Sequence, residues 1–169
     1  MPGSNGRRLS FFPCLAIFAI SNQLEAAHGD RIEFFTKSEL ADYSIFFQPL
    51  PDAFISLKTS TQPRARTKHY FLELFEDSTP FFVIARRMRQ YSDHVDGGDW
   101  ELTNKKLPAM LAVCESATLQ KRLLKRFRGL DDFKLRTTTK AELPTSDAED
   151  YIWQPTSEPE ARLKLSSIS

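Results

Sequence analysis

The stretch Leu107-Pro108-Ala109-Met110-Leu111-Ala112-Val113-Cys114 is almost wholly apolar and too short for an ordinary helix. Such a run is a strand buried on both faces, which puts it at the centre of a sheet. A central strand of this kind needs a covering layer above and below. The rest of the chain must therefore supply helices with one apolar stripe and further strands to flank the central one.

The helices are legible from their ends. Thr79-Pro80 offers a capping hydroxyl followed by proline in the first turn. Phe81, Ile84, Met88, Tyr91 and Val95 then recur at spacings of three and four, and Gly97-Gly98 closes the segment. Ser116 caps a second helix with Leu119, Leu123, Leu124 and Phe127 inward and Gly129 at its end. Strand character appears at 31–36, at Ala53–Leu57 after Pro51-Asp52, at His69–Phe75, and at an edge-like stretch, 133–138. The polar, proline-containing segment Lys58–Lys68 between two of these reads as a loop. The order is α-β-β-β-α-β-α-β. The early strands fit hairpins, and the later strand–helix–strand units need parallel crossovers. The expected fold is α/β (mixed α+β), with a central mixed sheet of about four to five strands flanked by helices.

The chain has 169 residues, enough for one domain with a real core. Residues 1–12 read as a flexible arm, 13–140 as the core, and 141–169 as a mostly disordered acidic, Pro/Ser-rich extension with a possible docked segment at 150–155. Net charge is +1, so no overall field draws a polyanion, and any nucleic-acid surface has to come from local clustering. The two cysteines, Cys14 and Cys114, have no zinc-ligand or disulfide-scaffold spacing.

The N-terminus supports two readings. Arg7-Arg8 followed by the apolar run 11–20 has the form of an export signal, which would make the chain exported rather than cytoplasmic. Ile17, Ile20, Leu24 and Ala27 instead continue a helical stripe beyond that run to Gly29, as in a folded amphipathic helix. The second reading accounts for more residues and leaves the chain cytoplasmic.

Two carboxylates sit where strand ends can meet. Asp52 opens one strand, and Glu73 lies inside the next, on the same face as His69, Phe71 and Phe75. An acid among aromatics needs a partner. One choice is a divalent cation, Mg2+ or Mn2+, shared by Asp52 and Glu73; the plainer one is a solvated acid at a strand end. Lys121, Arg122, Lys125, Arg126 and Arg128 crowd one face of the second helix. They form either a phosphate-contact surface or an ordinary solvated face. Lys58, Arg64, Arg66 and Lys68 in the loop leave the same two choices. His28, His69 and His94 have no ligand spacing, and there is no P-loop, dinucleotide or G-x-S-x-G signature.

Taken with the motifs Leu50-Pro51-Asp52-Ala53-Phe54, Phe71-Leu72-Glu73-Leu74, Arg86-Arg87-Met88-Arg89-Gln90-Tyr91 and Ile152-Trp153-Gln154-Pro155, this element order resembles the PD-(D/E)xK, restriction-endonuclease-like core. More narrowly it is similar to the replication-relaxation family of bacterial and mobile-element proteins. The resemblance spans about Leu15 to Trp153. It implies a nuclease-like fold in plasmid or mobile-element replication or mobilisation, with DNA as partner and replication or mobilisation proteins nearby. It also implies metal-dependent phosphodiester hydrolysis with Asp52 and Glu73 as metal ligands. Glu25, on the first helix, would be an additional metal acid, the plainer reading being a solvated surface glutamate. The family's usual lysine two residues past Glu73 is replaced by Phe75, which neither orients water nor stabilises charge. Arg87 is the substitute cation, able to contact phosphate but not to act as a base. The alternative is a catalytically inactive nuclease-fold module for DNA binding or protein docking.

Overall fold

The computed structural model describes residues 12–42, 49–62, 64–97, 108–129, 134–143 and 152–168. The expected arm at 1–12 therefore lies, apart from Phe12, outside the described residues. Helix α1 spans Phe12–His28, β1 Ile32–Thr36, the short α2 Lys37–Leu40, β2 Ala53–Lys58 and β3 Thr67–Phe75. Then come α3 (Phe81–Gly97), β4 (Ala109–Cys114), α4 (Ala117–Arg126), β5 (Leu135–Thr139) and the two-residue β6 (Gln154–Pro155).

All six strands form one sheet in the order β1-β2-β3-β4-β5-β6. β1, β2 and β3 make an antiparallel meander, with Ala53 opposite Leu72 and Phe54 opposite Phe71. β4 and β5 run parallel to β3. β6 is antiparallel to β5. The expected mixed α/β sheet with helices on both faces is what the chain forms. β4 is central, and every one of its residues is buried.

The two faces of the sheet carry separate apolar layers. On one, Phe54, Phe71, Phe75, Met110 and Leu135 pack under Ile84, Met88 and Tyr91 of α3 and Leu119, Leu123 and Phe127 of α4. On the other, Ile55, Tyr70, Leu72, Leu111 and Val113 meet Ile17, Ile20 and Leu24 of α1. The alternation of β3 thus divides its residues by parity, odd numbers toward α3 and α4, even toward α1. Helix α1 accordingly extends past the apolar run to His28, and Gly29 follows at φ 54°, in the left-handed region that suits a helix end. Ser116 caps α4 as its position implies, its Oγ accepting from Leu119 N–H at 3.1 Å.

The C-terminal extension departs from expectation. Instead of disorder over 155–168, the chain returns across the α1 face, where Trp153, Leu165 and Ile168 are buried. Tyr70 Oη donates toward the carbonyls of Leu165 at 3.1 Å and Ile168 at 3.3 Å, which anchors this strap. β5 is consequently not an edge strand, because β6 pairs beyond it. The composition of 155–169 is polar enough to read as unfolded, but its few apolar residues fall where the sheet face is left open by a single helix.

Candidate functional site

Glu73 is the buried acid among the described residues. It points from β3 toward α3, and its side chain is 1% exposed. Arg87 Nε donates to Glu73 Oε2 at 2.7 Å, and Tyr91 Oη donates to Oε1. Arg87 and Tyr91 are four residues apart on α3, so one helix face presents both donors. Arg87 Nη2 also reaches the Leu50 carbonyl at 2.6 Å, and Tyr91 Oη the Pro49 carbonyl at 3.2 Å. The cluster therefore ties the segment just before β2 to β3 and α3.

Burial, then the charge of Asp52, push the Glu73 carboxyl up; the hydrogen bond and charge of Arg87 and the hydrogen bond of Tyr91 pull the other way, and the net is a rise to about 7. Burial alone would lower the Arg87 guanidinium, but the hydrogen bond and charge of Glu73 carry it above its ordinary value. Burial, followed by the charge of Glu73, raises the Tyr91 phenol.

Asp52 sits beside Glu73, one step beyond the Ala53–Leu72 pair, within electrostatic range of its carboxyl. It is held differently. Its backbone N–H donates to the Leu72 carbonyl at 3.0 Å, and its Oδ2 accepts from Leu74 N–H at 2.9 Å. Asp52 also lines a 470 Å3 cavity beneath α1, together with Leu74, Glu76, Glu115 and Lys140. That cavity opens at the carboxyl ends of the parallel strands. Glu73 is not among its described lining residues.

These positions decide how well the acids fit a divalent cation. Mg2+ needs oxygen donors converging at about 2.0–2.1 Å with near-octahedral geometry. Both Glu73 oxygens are engaged by Arg87 and Tyr91, and one Asp52 oxygen is engaged by a backbone N–H. No group of three acidic, histidine or cysteine side chains spaced for a metal occurs among the described residues. Glu25, read either as a third metal acid or as a solvated surface glutamate, is exposed on α1, accepts from Ser21 Oγ at 2.9 Å, and belongs to the helix on the opposite side of the sheet from Arg87. The donor set as arranged does not fit a resident Mg2+ or Mn2+. Arg87, expected to face phosphate, spends its guanidinium on Glu73 and Leu50. Phe75, two residues beyond Glu73, is a core residue.

His69 stands apart from this cluster. Its ring stacks on Phe54 at 5.4 Å between centroids, and desolvation lowers its pKa despite the charge of Glu33. On α4, Lys121, Arg122, Lys125 and Arg126 are exposed, as is Arg128 two residues past its end, while Leu119, Leu123 and Leu124 of the helix and Phe127 just after it are buried. Arg64 and Arg66 are exposed in the β2–β3 loop, with Thr59 N–H bonded to the Arg66 carbonyl at 2.9 Å. β3 and β5 both start at this end of the sheet, and the crossover from α4 into β5 returns there. The loop arginines and the C-terminal end of α4 therefore share one end of the molecule. Sequence reasoning missed the polar role of Tyr91, which its apolar spacing disguised, although its place four residues after Arg87 was the available signal. It also gave Arg86 and Arg89 no role of their own and passed over the exposed Phe82 of α3.

Comparison with protein-family models, curated proteins and solved structures returns no match to this chain. Among the described residues no helix is long and apolar enough to cross a membrane.

Proposed function

We propose that this chain is a DNA-binding module on a restriction-endonuclease-like scaffold, its carboxylate cluster serving architecture rather than hydrolysis. The observation that carries the reading is the exposed cluster on α4 and the turn after it, where five cations lie within eight residues opposite a buried leucine stripe, Arg122 and Arg126 on the side toward α3. A cluster of guanidinium and ammonium groups held by a helix supplies the positive charge that binds a phosphate backbone. The loop arginines Arg64 and Arg66 extend that positive surface at the same end of the sheet. The antiparallel meander followed by parallel crossovers agrees with the scaffold that the sequence resembles. The engagement of Glu73 by Arg87 and Tyr91 favours the inactive form of that scaffold over a metal-dependent nuclease. In the setting the resemblance implies, such a module would hold DNA within replication or mobilisation machinery.

The test is binding of labelled DNA at about 50 and 200 mM salt. Affinity should fall steeply with salt, and Lys121→Glu with Lys125→Glu should weaken binding and flatten the salt dependence by roughly 0.9 per lost duplex contact. Plasmid incubated with Mn2+ should stay uncut. Salt-independent or absent binding would remove the DNA-binding reading. Cleavage lost in both Asp52→Ala and Glu73→Ala would replace it with the nuclease.

A further inference from the structure

α3 and α4 lie on the same face of the sheet, each leading from the carboxyl end of one parallel strand back to the start of the next. Between them is a cleft of 490 Å3 with two chemistries in its walls. Arg86 and Arg89 come from α3, and Arg122 and Arg126 from α4. The Arg122 guanidinium lies over the Phe81 ring, 4.3 Å from its centroid. Beside it Phe82 is 74% exposed. No carboxylate is among the described lining residues, and none of the four arginines makes an ion pair with one among the described residues.

A lone exposed phenylalanine needs no explanation. One set among four guanidiniums with no carboxylate paired to them among the described residues is a different surface. Guanidinium groups grip phosphate oxygens in pairs, and an open aromatic face stacks on a nucleobase. Duplex DNA presents phosphates but keeps its base faces stacked internally, so Phe82 would have nothing to meet. An acidic peptide would answer the arginines and again leave Phe82 idle. A single strand offers both groups at once. We infer that the α3–α4 cleft binds a single-stranded nucleic-acid segment, its phosphates on Arg86, Arg89 and Arg126 and one base stacked on Phe82. Phe81 holds Arg122 in place for the same backbone. This rests on the chain being a nucleic-acid binder and adds the state of the strand and the residues that recognise it.

The experiment uses the full chain and fluorescence polarisation with four probes: oligo-dT of about 12 nucleotides, an abasic strand of equal length, a duplex, and poly-glutamate. Oligo-dT should bind tightest, about tenfold tighter than the abasic strand. Phe82→Ala should erase that difference, with an unchanged thermal midpoint because the ring is exposed. Arg86→Glu with Arg89→Glu should weaken both strands and lower the salt slope by roughly 0.7 per lost contact. Equal affinity for dT and the abasic strand, no effect of Phe82→Ala, or poly-glutamate competing as well as dT would overturn the proposal. Duplex binding that shows no single-strand preference and ignores the Arg86 and Arg89 reversals would overturn the cleft alone and leave DNA binding standing. Failure to bind any nucleic acid at low salt would remove both.

Discussion

Arg87 Nε lies 2.7 Å from Glu73 Oε2, which gives the buried acid of β3 a cationic partner on α3. A carboxylate buried in an aromatic layer needs its charge compensated, and Arg87 on α3 supplies the compensation while also bonding the Leu50 carbonyl. Removing one member of such a pair leaves an uncompensated charge, whereas removing both does not. Above pH 7, where Glu73 of the parent is ionised, Arg87→Met should therefore destabilise the protein by about 3–5 kcal/mol. Arg87→Met combined with Glu73→Leu should recover much of that loss. Urea denaturation of the two single variants and the double one closes the cycle. Additive losses would show that the two side chains act independently.

Glu73 also sets a pH dependence. Its folded pKa is raised to about 7 from an ordinary 4.5, so the folded state holds this proton more tightly than the unfolded chain does. The associated stability is fully present below pH 4.5 and is lost as pH rises through 7. The whole change is roughly 3 kcal/mol, at about 1.4 kcal/mol per pKa unit. Glu73→Gln keeps the shape and removes the titration. The difference in unfolding free energy between Glu73→Gln and the parent should grow in favour of the variant between pH 4.5 and 7.5. A difference that stays flat across that range would remove the titration from Glu73.

Divalent cations should not stabilise the fold. A resident site filled a hundredfold above its dissociation constant adds about 2.7 kcal/mol, which a thermal melt detects readily. With Glu73 engaged by α3 and Asp52 bonded to Leu74 N–H, the melting midpoint should be the same in millimolar Mg2+, in Mn2+ and in chelator. A metal-dependent rise that disappears in Asp52→Ala would mean that the cluster rearranges to admit an ion.

The contrast between what the sequence revealed and what it concealed follows from the range of each signal. The central strand was legible because eight apolar residues leave few other places to go. The helices were legible because Thr79-Pro80 and Ser116 announce their starts locally. Glu73's need for a partner was also readable, since its neighbours on the strand face are aromatic. Which partner it takes was not, because both a metal and Arg87 satisfy the same charge, and only the packing of α3 over β3 decides between them. The strap at 152–168 was hidden for another reason. Its stability comes from long-range burial of Trp153, Leu165 and Ile168 against the sheet, and no local pattern in a polar, proline-containing segment records that.

That strap gives the sharpest test of the fold. Trp153 is buried against the α1 face and bridges Leu163, with Trp153 N–H bonded to the Leu163 carbonyl at 3.1 Å and the reverse bond at 2.8 Å. Trp153→Ala should cost about 3–5 kcal/mol, the usual loss for a large aromatic cut from a core. Tyr70→Phe removes only the hydroxyl that bonds the Leu165 and Ile168 carbonyls and should cost about 1 kcal/mol. Truncation after residue 151 removes Trp153, Leu165 and Ile168 from the apolar layer on the α1 face, removes β6, and turns β5 into an open edge. The truncated chain should lose most of its stability and self-associate through that edge. Urea midpoints for the two point variants and light scattering for the truncation check these outcomes. A Trp153→Ala midpoint equal to the parent's would mean that the segment contributes nothing to the packed core.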